Sequence, residues 1–526
     1  NDTLLPGNMG QGGLLTERDR EWFQKEKQAL SPGAKEKTYI QKFYLYMNLT
    51  KPEEFLHISY SKVSSDGKTL RPAYLVWDLK KLFPKLVVTE EEALLMTQRE
   101  LTPGEGLEFV IRGVRDRYLG VDESWKELYT WYRQNEGQKV DRILDAGFFK
   151  KKPDALTGEE AAELYGEKKQ FSVTRMERFS ACAYAHFLTY GLHLSDRERY
   201  EFEAMDLGNI AHQSMERFAR KAQEKRMSWP KLEEVQRDAM IEESVEESIK
   251  DYGNTVLYST ARNEYMIVRI KQLIRRSVWA LTRQMEKGDF EPSGYEMNFG
   301  SGKIDRIDTC EDEDMVYVKV TDYKTGMKSF DIVALYHGLQ MQLPVYLNAA
   351  LELEERRAPG KTVEPAGIFY YRIKDPIVDR EKDDHALEEK ILKELRLDGM
   401  INAKEEVIEH LEHQLSGTSV LNPIGKNKDG SLNRYSKVLP PEAFAAMLSY
   451  TKKKEAQVKR QIYAGEVQAN PYELNGSTGC DYCAYRDICG FDPRLDGYAY
   501  RSLEKYSKEE VIRRMEEEIE NREEPS

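Results

Sequence analysis

Two short stretches of the chain, GKIDRID at 302–308 and VKVTDYKTG at 318–326, hold the residue types from which a divalent-cation site is built. Asp322 and Lys324 are two apart in a run rich in β-branched residues, so a strand sends both side chains out of one face. The acids of CEDED, at 310–314, read as a hairpin turn between the stretches, which carries Asp305 to the open end of the same hairpin. Two carboxylates and the Tyr323 carbonyl then form an oxygen-rich site of the kind Mg2+ takes. Lys324 beside it can orient or help deprotonate a water and offset charge growing on a pentacovalent phosphorus. Such spacings also arise as surface ion pairs in a chain that is one-third charged, so the catalytic reading needs further residues.

A second constellation is CDYCAYRDIC, which places Cys480, Cys483 and Cys489 within ten residues of a chain holding five cysteines. Three thiolates can wrap one soft metal centre, but a closed tetrahedral site wants a fourth ligand. Cys182, on or just past the helix read from FSVTRMERFSACAYAHF, is the better fourth group, and Cys310, among the acids of CEDED, the weaker. Spacing alone leaves zinc and an iron-sulfur cluster evenly matched.

These groups need elements to position them. Thr174 and Glu177 have capping-box spacing before an apolar-periodic run. His212 follows a glycine in an amphipathic helical pattern, where a lone histidine is more often a satisfied structural residue than a ligand. Gln342 and Tyr346, four apart, share a face of a helix expected over ALYHGLQMQLPVYLNAALELEE. Helices are expected from about 231 to 287, strands from 294 to 324 and at GIFYYRI, and a charged helical region to about 415. SKEEVIRRMEEEIEN carries another capping box, Ser507 to Glu510. Before these, residues 36 to about 90 alternate apolar and polar segments around an SSDGK turn and read as short strands and helices of an α/β domain. The polar run KKPDALTGEE is expected to link two domains, 1–153 and 154–526.

Composition sets limits. With 79 Lys and Arg against 92 Asp and Glu, a net charge of -13 argues against polyanion binding over the whole surface. The basic stretches RIKQLIRRSVWALTRQ and TKKKEAQVKRQ read as solvated helix faces. An odd cysteine count, no signal pattern and no membrane-length apolar run favour a reducing cytoplasm over a secreted disulfide framework. The opening NDTLLPGNMGQGG has no initiator Met, which leads to the expectation that the chain is a piece of something longer.

Taken in order, His212, Asp305, Asp322-x-Lys324 and Gln342-x3-Tyr346 resemble the RecB-like branch of the PD-(D/E)XK nucleases. With Cys182 upstream and C-x2-C-x5-C downstream, the chain looks like the iron-sulfur-stapled form, and it is similar above all to the AddB family of subunits from bacterial AddAB helicase-nucleases. That resemblance implies an α/β fold: the end of a helicase-like domain, then a nuclease domain with a mixed sheet flanked by helices and a C-terminal iron-sulfur segment. It further implies that His212, Asp305 and Asp322 hold Mg2+, with Glu296 a weaker metal-linked carboxylate. Lys324 would serve catalysis, and Gln342 and Tyr346 would position the phosphate backbone. Cys182, Cys480, Cys483 and Cys489 would bind a [4Fe-4S] cluster. Also implied are an AddA-like partner with the ATP-driven motor, double- and single-stranded DNA as substrate, degradation of the 5'-ended strand during break repair, and recognition of a Chi sequence. No GxxxxGKT phosphate loop occurs in the chain. The alternative is a non-catalytic DNA-binding scaffold with a purely structural metal cluster.

Overall fold

The computed structural model describes residues 17–26, 30–63, 69–89, 102–116, 124–148, 150, 152, 154–166, 171–195, 197, 202, 204–252, 255–258, 260–300, 302–381 and 383–520. The chain divides into two compact units, Asn1–Phe148 and Phe149–Ser526.

In the first unit the described elements are helices, and the last three, Pro103–Asp116, Trp125–Asn135 and Gly137–Gly147, close a small core of Val110, Val114, Tyr132 and Val140. The strands expected between 36 and 90 do not form among the described residues. FYLYMNLT lies in the Ala34–Thr50 helix, and FLHISYSK makes no ladder, with only an isolated bridge joining Val63 to Thr69. Phe55 is 87 % exposed. Alternating apolar residues specify a strand only where a neighbouring strand takes up their backbone groups, and among the described residues no ladder forms beside this segment, the Leu70 N–H bonding the Lys62 carbonyl next to the isolated bridge. The SSDGK turn, 64–68, lies outside the described residues.

The second unit is built on a six-stranded mixed sheet in sequential order: β1 Glu291–Phe299, β2 Gly302–Glu311, β3 Met315–Lys324, β4 Thr362–Arg372, β5 Asp398–Asn402 and β6 Val438–Leu439. β1, β2 and β3 pair antiparallel, β3 and β4 parallel, β4 and β5 antiparallel, and β5 and β6 parallel. The parallel step needs a crossover, which the Gln342–Arg357 helix supplies. Both faces are covered, so β3 is buried along nearly its whole length, charged residues included. Val316, Val318 and Val320 enter a core with the Val173–Ala181, Gln342–Arg357 and Pro441–Tyr463 helices. Tyr317 and Tyr323 enter another with the Ala204–Glu224, Glu234–Asp251 and Ala261–Met285 helices.

Four local expectations are corrected. Cys310 is not in the turn but in β2, opposite Tyr317, and is buried. The charged region before 415 is not all helix: it contains β5, where Gly399 comes so close to β4 that a Cβ would stand 1.9 Å from the Ile368 carbonyl oxygen. A five-residue strand among charged residues gains its stability from its two neighbours, which no local pattern announces. The helix expected over 334–355 breaks at Gly338, whose φ of +79° is the left-handed conformation that glycine accepts, and restarts at Gln342. The cap of the Val173–Ala181 helix is Ser172, whose Oγ accepts from Arg175 N, rather than Thr174. Phe171 and Met176, both buried, stand at the two staple positions around that cap.

The C-terminal box is half formed. Ser507 Oγ accepts from Glu510 N, while the Glu510 carboxylate is taken by Arg513 and Arg514. The basic stretch from Arg269 is neutralised side chain by side chain, Lys271 pairing with Glu246, Arg275 with Glu242, Arg269 and Arg276 with Asp375, and Arg283 with Glu388. No helix among the described residues is long and apolar enough to cross a membrane.

Candidate metal and cysteine sites

The site forms where the β2–β3 ladder opens. Arg306 pairs with Thr321, the last partners in the register, so Asp305 stands across from Asp322 beyond the final pair. The strands part there, and Asp305 Oδ2 accepts the Tyr323 backbone N–H at 2.8 Å. Asp322 lies on the same sheet face as Val318 and Val320 by the two-residue period of the strand, and Lys324 follows it, its ammonium touching Asp322 Oδ2. The other aspartate of GKIDRID goes elsewhere: Asp308 is buried in an ion pair with Arg306, at 2.7 Å, and is part of the structural core.

Asp322 is 1 % exposed, and the Lys324 ammonium is the partner of its buried Oδ2. Burial and then the Asp305 charge push its carboxyl up to about 7, against the pull of Lys324 and His212. That crowding of buried carboxylates, whose charged forms burial and mutual repulsion both disfavour, fits a divalent cation, whose charge would offset both.

His212 arrives from the other face of the sheet. The Ala204–Glu224 helix approaches the end of β3 through Gly208, one turn earlier, where a Cβ would stand 3.2 Å from Thr325 Oγ1. His212 Nδ1 lies 3.2 Å from Asp305 Oδ2. Burial works against its protonation, but the Asp305 hydrogen bond and charge outweigh burial and raise its pKa. Glu296, on β1, occupies a left-handed backbone conformation with φ of +48°, a strained state for a non-glycine residue inside a strand. Ligand atoms of His212, Glu296 and Asp305 lie within 4.8 Å of one another. Glu296 also pairs with Lys303 at 2.5 Å.

Gln342 and Tyr346 close the side opposite His212. Gln342 Nε2 donates to Asp322 Oδ1 at 2.8 Å and to Tyr346 Oη at 2.9 Å. The residue that holds them is one that reading the sequence misses. Glu177 Oε1 accepts from the backbone N–H groups of Met341 and Gln342, at 2.7 and 3.0 Å, at the start of the Gln342–Arg357 helix. Its acidity is reduced by burial. The only signal in the sequence is an acid on an apolar-periodic helix, for which capping-box spacing offers a simpler reason. Glu177→Ala is expected to leave both N–H groups short of an acceptor, lowering stability by about 1–3 kcal/mol. Urea unfolding checks this, with Glu177→Gln, which keeps one acceptor oxygen, recovering part of the loss.

Cys182, Cys483 and Cys489 lie in the neighbourhood of Cys480. Cys182 ends the Val173–Ala181 helix and begins the short Ala183–His186 helix. Burial pushes its thiol pKa up, while the backbone N–H groups of Ala185 and Tyr184 favour the thiolate. Cys480 is pushed up by burial and then by the charges of Cys182, Cys483 and Cys489, so its thiol lies within electrostatic range of the other three. Phe491 N donates to Cys489 Sγ at 3.4 Å. The C-terminal segment is held against the Cys182 region by Ala183 N to Asn470 Oδ1, Tyr184 N to Gln468 O, and Tyr485 Oη to Leu194 O. No disulfide joins the cysteines. Among the described residues two sets of at least three donor atoms lie within 4.8 Å of one another, and the cysteine quartet is not one of them.

The sequence profile of the PD-(D/E)XK nuclease superfamily matches residues 170–490. A protein of Lachnoclostridium phytofermentans, named as an ATP-dependent helicase/deoxyribonuclease subunit, is 37% identical over 97% of this chain and 46% of its own length. Proteins of the same name from Alkaliphilus oremlandii and Alkaliphilus metalliredigens are 31% and 30% identical, over 99% and 98% of this chain and 48% of each relative. The chain therefore spans about half the length of the curated relatives it matches.

Proposed function

We propose, from the premise that this chain belongs to the PD-(D/E)XK nuclease superfamily, that it cleaves DNA phosphodiester bonds with Mg2+. The convergence of His212, Glu296 and Asp305, with Asp322 and Lys324 on the same strand ends, carries the reading. His212, Asp305 and Asp322 are the proposed ligands, with Glu296 a further carboxylate at the rim. When bound, the cation supplies Lewis-acid polarisation of a phosphoryl oxygen and a more acidic water. Lys324, held by Asp322, orients the attacking water and offsets charge on the phosphorus. Gln342 and Tyr346, locked together by their hydrogen bond, position the phosphate backbone.

Residues 154–526 form the nuclease domain in this reading, and 1–153 are the end of a helicase-like domain. Cys182, Cys480, Cys483 and Cys489 hold a [4Fe-4S] cluster. Four thiols in one neighbourhood suit such a cluster, and the Phe491 N–H donated to Cys489 Sγ is the kind of hydrogen bond to sulfur that tunes it. The whole protein then acts as the AddB-type member of an AddAB-type complex, with an AddA-like motor partner, on double- and single-stranded DNA. It works in the reducing cytoplasm, degrades the 5'-ended strand during break repair, and contributes to Chi recognition.

The test is cleavage of end-labelled linear DNA by the full-length protein with its partner. Digestion in Mg2+ that stops with EDTA and starts from the labelled 5' end supports the reading. DNA binding with no cleavage points instead to a scaffold. Lys324→Ala is expected to slow cleavage by about two to three orders of magnitude while changing Mn2+ affinity little, because the ammonium acts on water and phosphate. Calorimetry and turnover on the same preparation check the split; loss of metal binding with activity would reassign Lys324.

A further inference from the structure

At the far end of β2 from Asp305 lies a second group of metal-ligating side chains that the nuclease reading does not use. Donor atoms of Asp289, Cys310 and His410 lie within 4.8 Å of one another. Cys310 comes from β2, Asp289 from the turn that leads out of the Ala261–Met285 helix, and His410 from the Glu405–Leu411 helix. A fourth side chain adjoins them. His413 Nε2 stands 2.7 Å from Asp289 Oδ2, and His410 Nδ1 stands 2.8 Å from the same oxygen.

We infer that Asp289, Cys310 and His410, with His413 closing the fourth position, form a structural binding site for zinc or a similar borderline divalent cation. Thiolate and imidazole donors select this class over Mg2+, and one thiolate, one carboxylate and two neutral imidazoles balance the charge of a divalent ion.

The backbone around the site is built in advance. Asp289 N donates to His410 O at 2.8 Å, and His413 N donates to Lys287 O at 2.8 Å, clamping the two ligand-bearing turns together. Gly288, between them, comes so close that a Cβ would stand 2.4 Å from His410 O and 2.6 Å from Leu411 O. Two histidines sharing a carboxylate could be a charge clasp alone, but a clasp has no need of the buried thiol beside it. Cys310 is 4 % exposed, facing Asp289 with Asp312, Glu311 and Lys319 nearby. An ion here would tie the turn before β1 to the helix after β5, fastening the helix layer on the His212 face to the sheet. The inference stands on its own residues and does not depend on the nuclease reading.

The experiment is zinc and iron analysis of the full-length protein after equilibration with zinc and removal of loosely held metal with a weak chelator. Wild type is expected to retain one zinc per chain besides its iron. Cys310→Ser and His410→Asn lose that zinc and keep the iron, whereas Cys483→Ala keeps it. Cobalt added in place of zinc gives a thiolate charge-transfer band that Cys310→Ser lacks. Should Cys310→Ser fail to fold, the more exposed His410→Asn decides. A wild type that retains no zinc, zinc that persists in both Cys310→Ser and His410→Asn, or zinc that leaves only with Cys483→Ala overturns the inference.

Discussion

Asp305→Asn is expected to slow cleavage of linear DNA by about a thousandfold or more while leaving the fold and DNA binding nearly intact. The asparagine keeps an oxygen for the Tyr323 N–H and for the His212 side, so the opened end of the β2–β3 hairpin stays as it is. What goes is one unit of negative charge, and with it a strong ligand for a hard cation. Cation loss removes both polarisation of the phosphate and activation of water, several kcal/mol of barrier lowering, and about 1.4 kcal/mol corresponds to each tenfold in rate. Turnover on linear duplex, gel-shift affinity and thermal unfolding on one preparation separate the effects. A variant that cleaves like wild type would remove Asp305 from the metal site and favour the scaffold reading. Asp308 is the contrasting case on the same strand. Its partner Arg306 is fully buried beside it, so losing Asp308 acts through folding.

The second large effect concerns the cysteines. Cys182→Ala and Cys483→Ala are each expected to discolour the protein, remove its iron and raise protease sensitivity in the segment after Cys480, whereas Cys310→Ala leaves the iron in place. A link between Cys182 and Cys480 closes a loop of about 300 residues around every proposed nuclease residue from His212 to Tyr346. In the cross-link model such a loop removes unfolded-chain entropy worth roughly 6 kcal/mol. Residual structure in the unfolded chain and native-state strain lower such values in practice, so the expected loss is about 2 to 5 kcal/mol. Denaturant midpoints and iron content check it. Four irons per chain in the wild type support the cluster; stoichiometric zinc without visible absorption at these cysteines, or loss of iron in Cys310→Ala, would contradict the ligand assignment.

The residues that carry this chemistry are legible because their spacing is local. Asp322 and Lys324 share a strand face by the period of two, and Gln342 and Tyr346 share a helix face by the turn of 3.6. Both relations hold for any strand and any helix. The hairpin that carries Asp305 can be read for the same reason, since two β-rich runs flank an acidic turn.

What the local pattern could not decide was every relation between elements distant in the chain. Glu177 has helical neighbours that suggest a cap, yet its carboxylate is claimed by two N–H groups more than 160 residues away, freed because the chain breaks at Gly338. β5 is a strand because β4 and β6 lie on either side of it, whereas FLHISYSK joins no ladder among the described residues. Cys310, a turn residue by its acidic neighbours, sits on a strand that meets His410 only after the sheet has assembled. Periodicity fixes which way a side chain leaves its own backbone, a matter of covalent geometry. Which group it then faces depends on layers that pack to bury apolar surface and on backbone groups that must find partners, and those are properties of the assembled fold.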